Sequence, residues 1–388
     1  MADNRSMQPN QATSYSDLSE ATTDVTLFVE MPGDVRATLN NYVPLDANDD
    51  TVKLLREIFK YLPSDGRLHL AEDIIQAGTH YKLHQLAQSV VTGLLTPMKV
   101  AGAKTAEITP SPRLGIEDSI EHLASMTDES MTRGPQQQLQ DDALRRDGNK
   151  CVVSGQYDVQ SEELYPDEVT ADLETAHILP FALAKFENDD KRRQTIAVWT
   201  KIFRYFPSIR SRLNFYYQNI NSMENVMMLS QPLHKQFGRF SLALEQTDTI
   251  HQYRVKTFRR FAKGLRVFLP ENGIVTMTAH DGRFPLPSPI LLQVHYAVAN
   301  ILHATGRGEK IDRVLCDYDA TGGLASDGST NVSQLLSVTK LALLPTIRER
   351  SMNLKPARPK SSDVQKRPSR TTQTSHLPNE LKENRIEC

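Results

Sequence analysis

Three polar residues in the middle of the chain could carry chemistry: His177 in ETAHILPF (174–181), Asn225 in NSMENVMML (221–229) and His234 in SQPLHKQF (230–237). Imidazole titrates near neutral pH. It can take a proton from water, or serve while neutral as a ligand to a divalent metal. Hydrolysis of a phosphodiester asks for such groups. It needs a nucleophilic water, stabilisation of added negative charge and help for the leaving oxygen. A base histidine must also be held by its neighbours so that its ring cannot swivel.

The surrounding residues predict the elements that must position these groups. Ala176, Ile178 and Leu179 make an apolar strand around His177, and Pro180 ends its pairing. VMML (226–229) is a second short strand beginning just after Asn225. Ser230 suits a helix N-cap and Pro232 the first helical turn, so His234 falls at the start of a short helix. Upstream, RDGN (146–149) is a turn signal, and CVV (151–153) reads as a short strand ended by Ser154-Gly155. Downstream, FSLALE (240–245) reads as a strand, with Phe240, Leu242 and Leu244 alternating against Ser241, Ala243 and Glu245. The order is a strand with His, a strand with Asn, then a helix with His.

This order resembles the HNH endonuclease family, the ββα-metal nucleases. The resemblance rests on Cys151–Gly155 (CVVSG), Ala176–Phe181 (AHILPF) and the E-N-x-x-x-L-S-x-x-L-H-x-x-F run from Glu224 to Phe237. The eight residues between Asn225 and His234 match the family's usual gap. The resemblance covers about residues 145–260 and implies a metal-dependent endonuclease acting on nucleic acid, with DNA the expected substrate. It implies that His177 is the general base, that Asn225 buttresses the segment carrying it, and that His234 is a metal ligand. One divalent metal is implied, Mg2+ in the first place, with Mn2+ or Zn2+ as alternatives. Two positions depart from the pattern. Ala176 stands immediately before the base, where many members place a second ligand, and Gly238 stands where many place a third. Protein ligation then reduces to His234 with water and substrate phosphate, and Glu174 or Asp172 are the carboxylates that could bend in. The competing reading is a catalytically weakened ββα module that binds nucleic acid or a protein partner without cutting.

Charge favours a polyanionic partner. The chain carries a formal net charge of -2, yet residues 177–270 hold sixteen Lys/Arg against six Asp/Glu. The run HQYRVKTFRRFAKGLR (251–266) has six basic residues and no acidic one. Arg254, Lys256, Arg259 and Arg260, with Arg239 shortly after His234, are the candidate phosphate contacts. A solvated edge strand guarded by lysine and arginine is the competing reading.

The fold class expected is α+β: a central ββα-metal module with inserts, flanked by mostly helical regions. The expected organisation is a disordered tail (1–25), a small helical region (26–100), a linker (101–138), the nuclease-type domain (139–270), a helical C-terminal extension packing on it (271–349) and a disordered basic tail (350–388). Within 26–100, residues 52–62 and 71–95 each predict a helix, the second stopped by Pro97. His80 and His84 are spaced to face one ligand but lack a third partner, and His295 and His303 lie on a predicted helix near 289–305. All four read as packing or surface residues. The aromatic insert around Trp199 reads as a packing layer. Three cysteines with no CxxC pair exclude a disulfide scaffold and a cysteine zinc staple. There is no apolar run of about eighteen residues and no apolar leader, which predicts an intracellular protein, cytoplasmic or nuclear, without a membrane partner.

Overall fold

The computed structural model describes residues 31–100, 108–113, 115–125 and 136–313. The expectations for both terminal tails and for the C-terminal extension beyond residue 313 lie outside these residues. Helices dominate, with three small sheets, so the class is α+β.

The N-terminal part is a helical layer: α1 (Gly33–Asn40), α2 (Thr51–Tyr61), α3 (Ser64–Ala77), α4 (His80–Val90) and α5 (Thr96–Val100). The single helix expected over 71–95 is two. Gly78 breaks it with a left-handed φ of 67°, and Thr79 then caps α4 by accepting a hydrogen bond from the Lys82 amide. Pro97, expected from sequence to stop the helix, instead sits inside α5. A π-type turn over Val91–Leu95 precedes that helix. Gly93 lies in the π turn, where a Cβ would come within 2.3 Å of the Lys201 side chain. Helix α6 (Ile116–Ala124) falls within the segment expected as a linker, and its Ala124 carbonyl accepts from Arg192.

Helix α7 (Gln136–Arg146) leads into the central sheets. CVV is not a strand but a turn. Gly155, with φ of 73°, donates its N–H to the Cys151 carbonyl, and Cys151 donates to Gln156. This closure overrides the local β preference of two valines. Strands β1 (Tyr157–Asp158) and β2 (Thr170–Ala171) form a small parallel pair. Strands β3 (Leu173–His177) and β4 (Val226–Ser230) pair antiparallel, Leu173 opposite Ser230 and His177 opposite Val226. The insert between them holds α8 (Asp189–Tyr205) and α9 (Ser208–Ser211). Its Trp199 is buried, donates to the Leu183 carbonyl at 2.7 Å and lies against Phe203 and Phe215. Burying such rings contributes roughly 1.5–3 kcal/mol apiece.

Helix α10 (Gln231–Gly238) follows β4 directly, with Ser230 at its N-cap and Pro232 in its first turn. A third sheet then runs β5 (Leu242–Gln246), β6 (Gln252–Thr257) and β7 (Ile274–Thr276), antiparallel with β6 in the middle. Phe240 lies before β5, and Ala243 is as buried as Leu242 and Leu244, because helix α11 (Pro289–Ala304) covers that strand. The basic run is therefore a central strand and not a free edge. Helix α11 also packs on α2, and the apolar residues of all these elements form one continuous core.

Candidate functional site

Antiparallel register assigns the faces of the β3–β4 ribbon. Glu174 and Ala176 share one face with Leu229 and Met227; Thr175 and His177 share the other with Met228 and Val226. Helix α10 lies over the Glu174 face. There the His234 Nδ1–H donates to Glu174 Oε2 at 2.6 Å. Both side chains are partly exposed, at 29% and 43%. This hydrogen bond holds the Glu174 carboxyl below the usual carboxylate range. The Nε2 of His234 has no protein partner among the described residues.

His177 ends β3 and is half-buried. Its Nε2–H donates to Asn221 Oδ1 at 3.0 Å, and its ring lies 5.9 Å from that of Phe181. His177 and His234 are thus approached from opposite ribbon faces, and Glu174 lies three residues from His177, about 10 Å along an extended strand.

Asn225 is fully buried. Its Oδ1 accepts from the Leu179 amide at 2.8 Å, and its Nδ2 donates to the carbonyls of Leu179 at 3.0 Å and Ile220 at 2.8 Å. Its own carbonyl accepts from Ile178. One asparagine therefore ties the two residues after His177 to the turn that carries Asn221, the His177 partner.

Arg146 and Asp147 stabilise that turn from below, a role sequence reasoning missed. Arg146 is buried and pairs bidentately with Asp147 at 2.7 and 2.9 Å. It also donates to the carbonyls of Met223 and Val226, on either side of Asn225, and to that of Pro285. Asp147 in turn accepts from the Met228 amide on the free edge of β4. RDGN reads locally as a turn, and only its basic-acidic pair hinted at more.

The far end of α10 is closed by other elements. Its last carbonyls have no partners within the helix. His295 Nε2–H donates to the Phe237 carbonyl at 3.1 Å, His303 Nε2–H to that of Phe240 at 2.8 Å, and Lys99 to that of Arg239 at 2.8 Å. His295 stacks on Phe237 and His303 on Phe258, with ring centroids 3.7 and 4.2 Å apart. Burial pushes the His295 imidazole down to about 3 and lowers that of His303.

The basic candidates do not form one surface. Lys256 donates to Asn300 at 2.7 Å beneath α11. Arg254 lies 3.4 Å from Glu245, and Arg260 lies 2.9 Å from Asp312 and 3.7 Å from Glu309. Arg239 is half-buried at the end of α10. Arg259 is exposed, as are Lys263 and Arg266, which sequence reasoning did not single out. The loop bearing them is tied to α10, since the Ala262 amide donates to Gln236. His80 and His84 share no ligand: His80 Nδ1 accepts from the Val43 amide, and His84 Nδ1 lies 3.0 Å from Thr51 Oγ1.

Among the described residues, no group of three or more His, Cys, Asp and Glu side chains converges as a metal cage. The donors at α10 are one open imidazole nitrogen with a carboxylate beside it. That chemistry fits a hydrated divalent cation, which keeps most of its waters and takes few protein ligands. No helix among the described residues is long and apolar enough to cross a membrane.

Residues 151–245 match the family model for HNH endonucleases. The match spans His177, Asn225 and His234 and suggests nuclease activity on nucleic acid. Searches of curated proteins and of solved structures return no match.

Proposed function

We propose that the segment around residues 145–260 is a ββα-metal endonuclease module that hydrolyses phosphodiester bonds of nucleic acid, DNA in the first place. The observation that carries this reading is the HNH family match over 151–245, which contains all three motif residues at the expected spacing.

In this reading His177 is the general base. Its Nε2 bonds the Asn221 side chain, and the neutral imidazole takes a proton from the attacking water. Asn221 fixes the ring, and Asn225 fixes the backbone beyond it. His234 holds one divalent cation, Mg2+ or a neighbour such as Mn2+, with Zn2+ as a further possibility. Such a cation, when bound, offsets charge on the phosphate and on the departing oxygen. The family pattern places its second ligand immediately before the base, at Ala176 here. Glu174 shares that face of β3, whereas His177 lies on the other. Exposed Arg259, with Arg239, Lys263 and Arg266, supplies non-specific phosphate contacts near α10, while Arg254, Lys256 and Arg260 contribute less because protein partners engage them.

A plasmid-nicking assay with Mg2+ or Mn2+ tests this reading. The wild-type chain nicks, and both chelator and His177→Ala abolish nicking. Ala176 and Gly238, which cannot coordinate, favour the second reading, a module that binds nucleic acid or a protein partner without cutting. Retained DNA binding with no nicking at any metal concentration would establish it.

A further inference from the structure

We infer that Glu174 is a positioning residue: it holds the Nδ1 proton of His234 and thereby presents Nε2 as the nitrogen that takes a divalent cation. This inference rests on the metal-dependent reading above.

Three observations carry it. The first is the distance. Glu174 Oε2 and His234 Nδ1 are 2.6 Å apart, the range of a charge-assisted hydrogen bond. Two atoms that both ligate one cation at about 2.1 Å, at right angles, stand roughly 3 Å apart, so this pair is too close to be two ligands of the same ion. The second is occupancy. Nδ1 is engaged while Nε2 has no protein partner among the described residues, and the ring is 29% exposed. The third is placement. Glu174 projects from a paired strand, opposite Leu229, on the face that α10 covers. The carboxylate thus links β3 to α10, the two elements whose relative position sets the ring. A ligating histidine commonly donates its other N–H to a carboxylate, which fixes the tautomer and raises the basicity of the ligating nitrogen. With Ala176 and Gly238 unable to coordinate, strengthening the one imidazole ligand matters more here than in a site with three.

The test is nitrogen NMR on the full-length chain with 15N-labelled histidine, at about pH 8 where free histidine is neutral. The metal-free protein is expected to show His234 with its proton on Nδ1. Titration with Zn2+ alone then shifts Nε2 while Nδ1 keeps its proton. Glu174→Gln weakens Zn2+ binding about 10- to 100-fold, and Glu174→Ala mixes the two tautomers in the metal-free protein. Unchanged signals elsewhere establish that both variants fold. Loss of the Nδ1 proton on adding Zn2+ overturns the inference while leaving His234 a ligand. The same holds if both variants keep the wild-type tautomer and affinity. If Zn2+ moves neither nitrogen of His234, the metal reading itself fails, and the metal-free tautomer still reports the Glu174–His234 bond separately.

Discussion

Two pairs of histidines bear on the same eight-residue helix or the strand beneath it, and they are held in opposite ways. His177 and His234 are half-buried, each with one ring nitrogen bonded to a side chain, an amide for the first and a carboxylate for the second. His295 and His303 are packed face-on against phenylalanines, and each spends its Nε2–H on a backbone carbonyl at the end of α10. The residue type is the same and its ordinary pKa is the same. Solvent access and the identity of the partner separate a ring that can exchange a proton or accept a cation from one that closes a helix. Sealing one end of α10 is also what allows the other end to present His234 in a fixed direction.

Substitution should separate the two pairs most sharply. His177→Ala is expected to lower the nicking rate by about 10^2- to 10^4-fold, the usual contribution of a positioned acid or base, while the midpoint of urea unfolding barely moves. His295→Ala should do the reverse to stability. It removes a fully buried ring stacked on Phe237 and Phe240, a loss on the order of 2–4 kcal/mol read from the same urea curves. If His177→Ala unfolds the chain as readily as His295→Ala, the contrast between the pairs is wrong.

Asn225 lies between these extremes, with a foot in each half. It is as buried as His295, yet its three side-chain hydrogen bonds set the segment next to His177. Asn225→Ala strands two carbonyls and an amide, so stability should fall by about 2–3 kcal/mol. Nicking measured well below the unfolding transition should fall too, with the loss in kcat rather than in KM, because the base is displaced and the phosphate contacts are not.

Acid provides a smaller test of the sealed pair. His295 stays neutral in the folded chain down to about pH 3, whereas an unfolded histidine protonates near 6.5. Between these values the unfolded chain binds a proton that the folded chain does not. Its contribution is therefore fully present above about 6.5 and is lost as pH falls, by roughly 1.4 kcal/mol per pH unit. His295→Phe should flatten that slope in unfolding curves taken between pH 7 and about pH 5.

How much of this was legible in the sequence follows from distance along the chain. His177, Asn225 and His234 stand out because their motifs are short and their spacing is local. The partners that hold α10 do not, since His295 and His303 reach carbonyls 58 and 63 residues away. Arg146 was read as part of a turn, yet its acceptors lie 77, 80 and 139 residues downstream. CVV failed for the opposite reason: the local β signal was present, and a left-handed glycine two residues later decided the backbone. In the basic run an edge strand was one reading, and Gln252–Thr257 do form a strand, but nothing local indicated that α11 would cover it and take up Lys256.

The same division between engaged and open groups should hold for the cations, with the smallest effect of all. Lys/Arg side chains neutralise phosphates only when protein carboxylates have not already paired with them, and each phosphate contact adds about 0.9 to the slope of log affinity against log salt for duplex DNA. Arg254 and Arg260 already face Glu245 and Asp312, so Arg254→Gln or Arg260→Gln should change that slope little. Arg259, Lys263 and Arg266 are exposed on the loop tied to α10. Converting all three to glutamine should lower the slope by about 2–3 in fluorescence-anisotropy titrations at several salt concentrations, with no change in the unfolding midpoint. Equal slopes for the engaged and the exposed sets would mean that the duplex lies elsewhere, and that charge on this loop serves solubility rather than binding.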